Sequence, residues 1–298
     1  MKGNGVIPNI SITERARLVK DHICSAALFA RNTFEIERVY HEYVSQNHSE
    51  QLEYDHTAYV IGSIFATDAY LEAAINTVFL DAIETTKLGK PYGVVAPLDC
   101  SIIHSMADAW KSGVDFDDVE IAYKFKNALI NKTGNKKRAV KNWHPTQDKY
   151  QCALVLTGKK AFSERDGVWK SVGVLRRLCN NVVHYNPVGV ESSVTKERHF
   201  PESGKKSIKQ PAHIMKLAHD LEEQLTNDVN DPDFIANPLA PGTTHFPRMY
   251  LGWKCADWAV TSSLDFVTAF FKTMGLDPSK LDDWPHVDIP CNLETKKA

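Results

Sequence analysis

The stretch from Tyr54 to about Thr86 is the most apolar in the chain, and it limits the fold more than any other. Val60, Ile61, Ile64, Phe65, Ala69, Tyr70, Leu71, Ala74, Ile75, Val78, Phe79 and Ile83 recur at helical intervals, over a length no ordinary strand reaches. A rod that is apolar around most of its circumference has to lie inside a bundle of other helices. Along it, Asp68, Glu72 and Asn76 recur every four residues as a polar stripe. Carboxylates are costly to bury unless paired, so Asp68 and Glu72 either face solvent or meet cations such as Arg176 or Arg177.

Other amphipathic runs supply the partners of this rod. Ser11-Ile12-Thr13-Glu14 offers a helix cap before a run from about Glu14 to Ser45, with Leu18, Ile23, Ala27, Phe34, Ile36, Val39, Tyr40 and Tyr43 as its buried stripe. Phe162 to Tyr185 reads as a helix, and Gly252 to Gly275, with Trp253, Trp258, Val260, Leu264, Phe266, Val267, Phe270 and Phe271, as the closing core helix. Asp115 to Asn131 reads as another, its acidic start suited to the helix dipole. Shorter helices are expected at Ile102 to Lys111 and at about Pro211 to Thr226, while Gln151 to Leu156 fits a strand or a helix ending at Gly158. The expected fold is all-α: a bundle of four to five long helices forming one domain over residues 1–298. Breaker residues such as Gly89, Pro91, Gly93 and Pro97 mark an insertion at about 88–114, and an elaborated excursion covers about 188–250.

Composition narrows the function. With 298 residues, 43% hydrophobic and 24% charged, the chain can bury a sizeable core. No uncharged run reaches the roughly 18 to 20 residues of a membrane span, and the first 17 residues lack a signal-like apolar segment, so a cytoplasmic protein is expected. The six cysteines are scattered, without a C-x-x-C pair or a close Cys/His quartet, which suggests reduced thiols and no zinc site. Phosphate-binding glycine loops, the nucleophile elbow of hydrolases and internal repeats are all missing.

Charge is distributed unevenly. From Lys124 to Arg177 there are fourteen basic residues against Asp148, Glu164 and Asp166, a local charge of +11 in a chain whose net charge is −2. Such asymmetry suits a polyanion partner, because phosphate contacts dominate nucleic-acid affinity; the competing account is a solvated lysine face. Trp143 and Tyr150 among these cations could stack on bases.

The motif that carries chemistry is Leu175-Arg176-Arg177-Leu178-Cys179-Asn180-Asn181-Val182-Val183-His184-Tyr185-Asn186-Pro187. On a helix, Arg177 and His184 stand seven residues apart and project nearly in line, with Asn180 and Asn181 between them. Leu175, Leu178, Val182 and Val183 occupy the other side, and Pro187 stops the helix. RNA carries its own nucleophile, the 2′-hydroxyl, so cutting it needs only a proton-transfer group and a cation for the phosphate. Imidazole suits the first task and guanidinium the second; the two Asn side chains could donate to the phosphate or fix the ring. That chemistry needs no metal or cofactor.

The run resembles the signature of the HEPN superfamily, all-helical ribonuclease and nucleotide-binding domains whose motif is an Arg, four to six residues, then a His. Arg177 and His184 match the six-residue form. In the commonest form the Arg directly precedes an Asn, five before the His, and that position here is Cys179. The resemblance implies a homodimer through the motif helix, cleavage of single-stranded RNA to 2′,3′-cyclic phosphates, and a toxin or antiviral effector with an antitoxin or other regulator as partner. It assigns Arg177 and His184 to catalysis, with Arg176, Asn180, Asn181, Glu72 and Asn76 binding or orienting the substrate. Two alternatives stay open: a non-catalytic HEPN-like binding or scaffold protein, and an unrelated bundle in which Arg177 pairs with Glu72 and His184 is a core residue.

Overall fold

In a computed structural model the chain is all-α, with seven helices among the described residues, which are 12–43, 50–111, 145–163, 165–183, 188–189, 212–226, 237–240 and 245–281. The helices are α1 (Ile12–Tyr43), α2 (Glu50–Leu88), α3 (Cys100–Lys111), α4 (Pro145–Leu156), α5 (Gly167–Val183), α6 (Ala212–Leu225) and α7 (Trp253–Met274). Two short strands, β1 (Val188–Gly189) and β2 (His245–Phe246), pair antiparallel. The helix expected at Asp115 to Asn131, the whole basic stretch from Lys124 to Lys141, and Trp143 lie outside the described residues. By length and composition α2 could cross a membrane, and 44% of its most apolar window is buried inside the protein.

The chain divides into two compact units, and α1, α2 and α7 contribute residues to both. The first comprises Met1–Asp21, Tyr70–Ser163 and Val267–Pro285. Its core is Leu71, Ala74, Ile75, Val78 and Phe79 of α2, Ile103 and Met106 of α3, Ala153 and Leu154 of α4, and Val267, Phe270 and Phe271 of α7. Tyr150 sits edge-on against Phe270, with ring centroids 4.7 Å apart, and its hydroxyl donates to the Leu71 carbonyl at 2.7 Å. This accommodates a buried phenol without an orphaned oxygen. The Gln151–Leu156 run is a helix, started by Pro145 and ended by Gly158 in the left-handed region (φ 68°).

The second unit comprises His22–Ala69, Glu164–Phe266 and His286–Ala298. Here α1 buries Ile23, Ala26, Ala27, Ala30, Thr33 and Glu37; of the stripe expected from sequence Ile23 and Ala27 are buried, while Val39 is exposed. Small residues allow α2 to come close, and Ser63 Oγ donates to the Ala26 carbonyl at 3.0 Å. Glu37 is buried because two donors converge on its Oε1: His56 Nε2 at 2.7 Å and the backbone N–H of Trp253, the first residue of α7, at 2.7 Å. The carboxylate thus satisfies an open amide at a helix N-terminus, where negative charge is favoured. Phe65, expected in the core, is exposed on α2.

The motif helix begins at Gly167 rather than Phe162. Phe162 is held in a connection by a reciprocal pair with Gln151, whose Oε1 accepts from the Phe162 N–H and whose Nε2 donates to the Phe162 carbonyl, both at 2.9 Å. That bond pattern belongs to no helix.

Candidate functional site

Helix α5 buries Val172, Val174, Leu175, Leu178 and Cys179, and this fixes which side chains face outward. Val183, assigned to the buried side from sequence, is 55% exposed at the last residue of the helix. Arg177 stands on the opposite face. Its Nε donates to the Gly173 carbonyl one turn back at 3.2 Å, and its Nη2 donates to Asp220 Oδ2 of α6 at 2.9 Å. The Arg177 side chain is 36% exposed, whereas that of Asp220 is only 11% exposed. The guanidinium is therefore anchored at one edge, and its Nη1 has no partner among the described residues.

Asn181 Nδ2 donates to the Arg177 carbonyl at 2.8 Å, so its amide is turned onto the helix backbone; Asn180 is exposed. His184 lies outside the described residues, immediately after the last described residue of α5.

Arg176 points inward from the same helix and meets Asp68 of α2, Nη1 to Oδ1 at 2.7 Å. One of the two carboxylates flagged by the polar stripe thus does meet a motif arginine. Both charges act on the buried Cys179. Burial above all, then the Asp68 carboxylate, push its thiol up to about 12 against the opposing pull of Arg176. At neutral pH this side chain is an uncharged thiol, and it supplies no cation where the commonest HEPN form has an arginine.

Glu72 and Asn76 have other partners. Both belong to the first unit, whereas Arg177 belongs to the second. Glu72 accepts hydrogen bonds from Lys149 Nζ and Thr146 Oγ1 of α4, and Asn76 Oδ1 accepts from Lys149 Nζ at 2.9 Å. The ammonium also lies 5.3 Å from the Trp110 ring centroid. Burial alone would raise the Glu72 carboxyl, but the Lys149 bond, with help from Thr146 and Asn76, holds it below the ordinary value. These residues tie α2 to α4 within the first unit. Arg177 pairs with Asp220, not with Glu72 as the unrelated-bundle alternative has it.

Sequence reasoning missed Asp220 and the rest of the α5–α6 contact. Lys170 Nζ meets Glu223 Oε2 at 2.6 Å and Ser171 Oγ donates to Gln224 Oε1 at 2.5 Å, so α6 presents Asp220, Glu223 and Gln224 to one face of α5. The Lys170 bond, chiefly, lowers the Glu223 carboxyl. Their spacing of three and four residues was legible, but nothing local says which helix that face meets. Of the seven described basic residues between Lys149 and Arg177, four (Lys149, Lys170, Arg176 and Arg177) are paired with carboxylates, which cancels much of the local positive excess. Lys159, Lys160 and Arg165 are exposed. Among the described residues, no group of three or more His, Cys, Asp or Glu side chains is placed to hold a metal ion.

Comparison of the chain with protein-family models, with characterised proteins and with solved structures finds no match.

Proposed function

We propose that this chain is a metal-independent endoribonuclease of the HEPN type, acting on single-stranded RNA through Arg177 and His184. The observation that carries the proposal is the condition of Arg177. It is a guanidinium held at one edge by Gly173 and Asp220, partly exposed, and seven residues ahead of a histidine in the same motif. A permanently charged, forked donor in that state suits a phosphate oxygen.

In the proposed reaction His184 takes the proton of the RNA 2′-hydroxyl, and the 2′-oxygen forms a bond to phosphorus. The bond from phosphorus to the 5′-oxygen breaks, and that oxygen leaves as a 5′-hydroxyl after receiving a proton. A 2′,3′-cyclic phosphate remains, and Arg177 stabilises the charge that gathers on the phosphoryl oxygens. One such motif has few groups, so two copies meeting at the motif helix complete the cleft in the proposed homodimer. The exposed Val183 side chain at the tip of α5 supports an apolar contact there.

Incubation of end-labelled single-stranded RNA with the protein in EDTA tests this. The parent should cut and His184→Ala should be slower by roughly 10² to 10⁴, the typical worth of a positioned acid or base. A non-catalytic RNA-binding role is favoured by one specific observation, the neutral buried thiol of Cys179. Under that role the parent binds RNA and leaves it intact.

A further inference from the structure

We infer that Asp220 is a positioning residue for Arg177, and that helix α6 is thereby a working part of the RNA site rather than decoration. The inference rests on the proposal that Arg177 meets a phosphate. An arginine side chain has many rotamers, and an unheld guanidinium at a surface spreads its donors over all of them. Here two contacts remove that freedom. Gly173, on the same helix, holds Nε, and Asp220, on α6, holds Nη2. Together they occupy the side edge of the fork and leave the end edge, at Nη1, directed away from both.

The partner is built rather than incidental. Asp220 is almost fully buried, and α6 is seated by Ile214, Leu217, Ala218 and Leu221 in the core of the second unit. The helix is also tied to α5 at Lys170–Glu223 and Ser171–Gln224. Three side-chain bridges along one helix pair set the distance from Asp220 to Arg177.

Asp220 could instead act as a clasp that competes with phosphate. The geometry argues otherwise, since the end edge stays available and the side chain of Arg177 is more exposed than that of its partner. The two roles predict opposite signs. A carboxylate beside a polyanion site repels RNA, so neutralising a clasp tightens binding; removing a positioner loosens it, because the guanidinium disperses.

The experiment measures binding of a fluorescent single-stranded RNA oligonucleotide by anisotropy across a salt series, together with cleavage at saturating RNA, for the parent, Arg177→Ala, Asp220→Ala, Asp220→Asn and Asp220→Glu. Arg177→Ala should weaken binding and lower the salt slope by about 0.7, the share of one phosphate contact on a single strand. Asp220→Ala should also weaken binding, and slow cleavage by about 10- to 100-fold, as loss of reacting geometry does. Asp220→Glu should recover part of both. If Asp220→Ala does not fold, as its thermal unfolding would show, the isosteric Asp220→Asn takes its place with the same expected direction. Unchanged or tighter binding by the folded Asp220 variants overturns the inference, and so does an unchanged salt slope in Arg177→Ala. If the parent binds RNA without cutting it, the ribonuclease proposal fails while the binding arm still decides the role of Asp220.

Discussion

At the scale of single residues, the two adjacent arginines of the motif have opposite duties. Arg176 turns inward to Asp68, and Arg177 turns outward to Asp220. The resemblance to HEPN domains rests on the second, while the departure from their commonest form, Cys179, lies beside the first. Because burial and Asp68 keep the Cys179 thiol protonated, it should resist alkylation. Iodoacetamide at pH 8 should label exposed Cys100 rapidly and spare Cys179 until the chain unfolds, as peptide mass spectrometry would reveal. Fast labelling of Cys179 in the folded protein would place it outside the core. Glu72 carries a pH dependence of definite sign. Its carboxyl is lower in the folded chain than its ordinary value, so its stabilising contribution is present above about pH 4.3 and is lost as pH falls through the folded value. Comparing urea unfolding of the parent and Glu72→Gln should show a stability gap at pH 7 that narrows toward pH 3. A gap independent of pH would mean that the Lys149 pair contributes no charge-dependent stability.

At the scale of elements, the apolar helices were readable and the mixed ones only partly. Helix α2 and α7 follow from periodicity because large apolar side chains recur along their buried faces, although α2 also buries His56, Ser63, Thr67, Thr77, Asp81 and Thr85. Helix α1 was displaced in register because its buried stripe ends in Thr33 and Glu37, polar residues whose burial depends on His56 and on the start of α7, far along the chain. The same holds for the site. Arg177 is legible as a residue type at a spacing, whereas Asp220 has no local signal and is found only once α6 is seated on α5. Gln151–Leu156 was ambiguous because an apolar run that short fits either period. The Glu37 node gives a sharp test. Glu37→Ala strands a buried imidazole and a helix N-terminal amide, and should cost roughly 2–6 kcal/mol in chemical denaturation, at about 1–3 for each orphaned group. A cost below about 0.5 kcal/mol would mean that water reaches both donors, since exposed sites typically fall in that range.

For the whole molecule, the all-α fold sets what is available for chemistry. A chain of packed helices offers helix faces and tips, and here the outward face of one helix carries a cation anchored to the neighbouring helix. The charge pattern becomes more modest once ion pairs are counted. Lys149, Lys170 and Arg176 are paired with carboxylates, while Lys159, Lys160 and Arg165 are exposed. The proposed ribonuclease activity is decided by single-turnover cleavage, in EDTA, of an RNA oligonucleotide and of the same oligonucleotide lacking the 2′-hydroxyl at the cleaved nucleotide, with the parent and His184→Ala. Cutting is expected only of the all-ribose strand and only by the parent, with a 2′,3′-cyclic phosphate on the product. Equal cutting by His184→Ala, or cutting at the 2′-deoxy position, would contradict it.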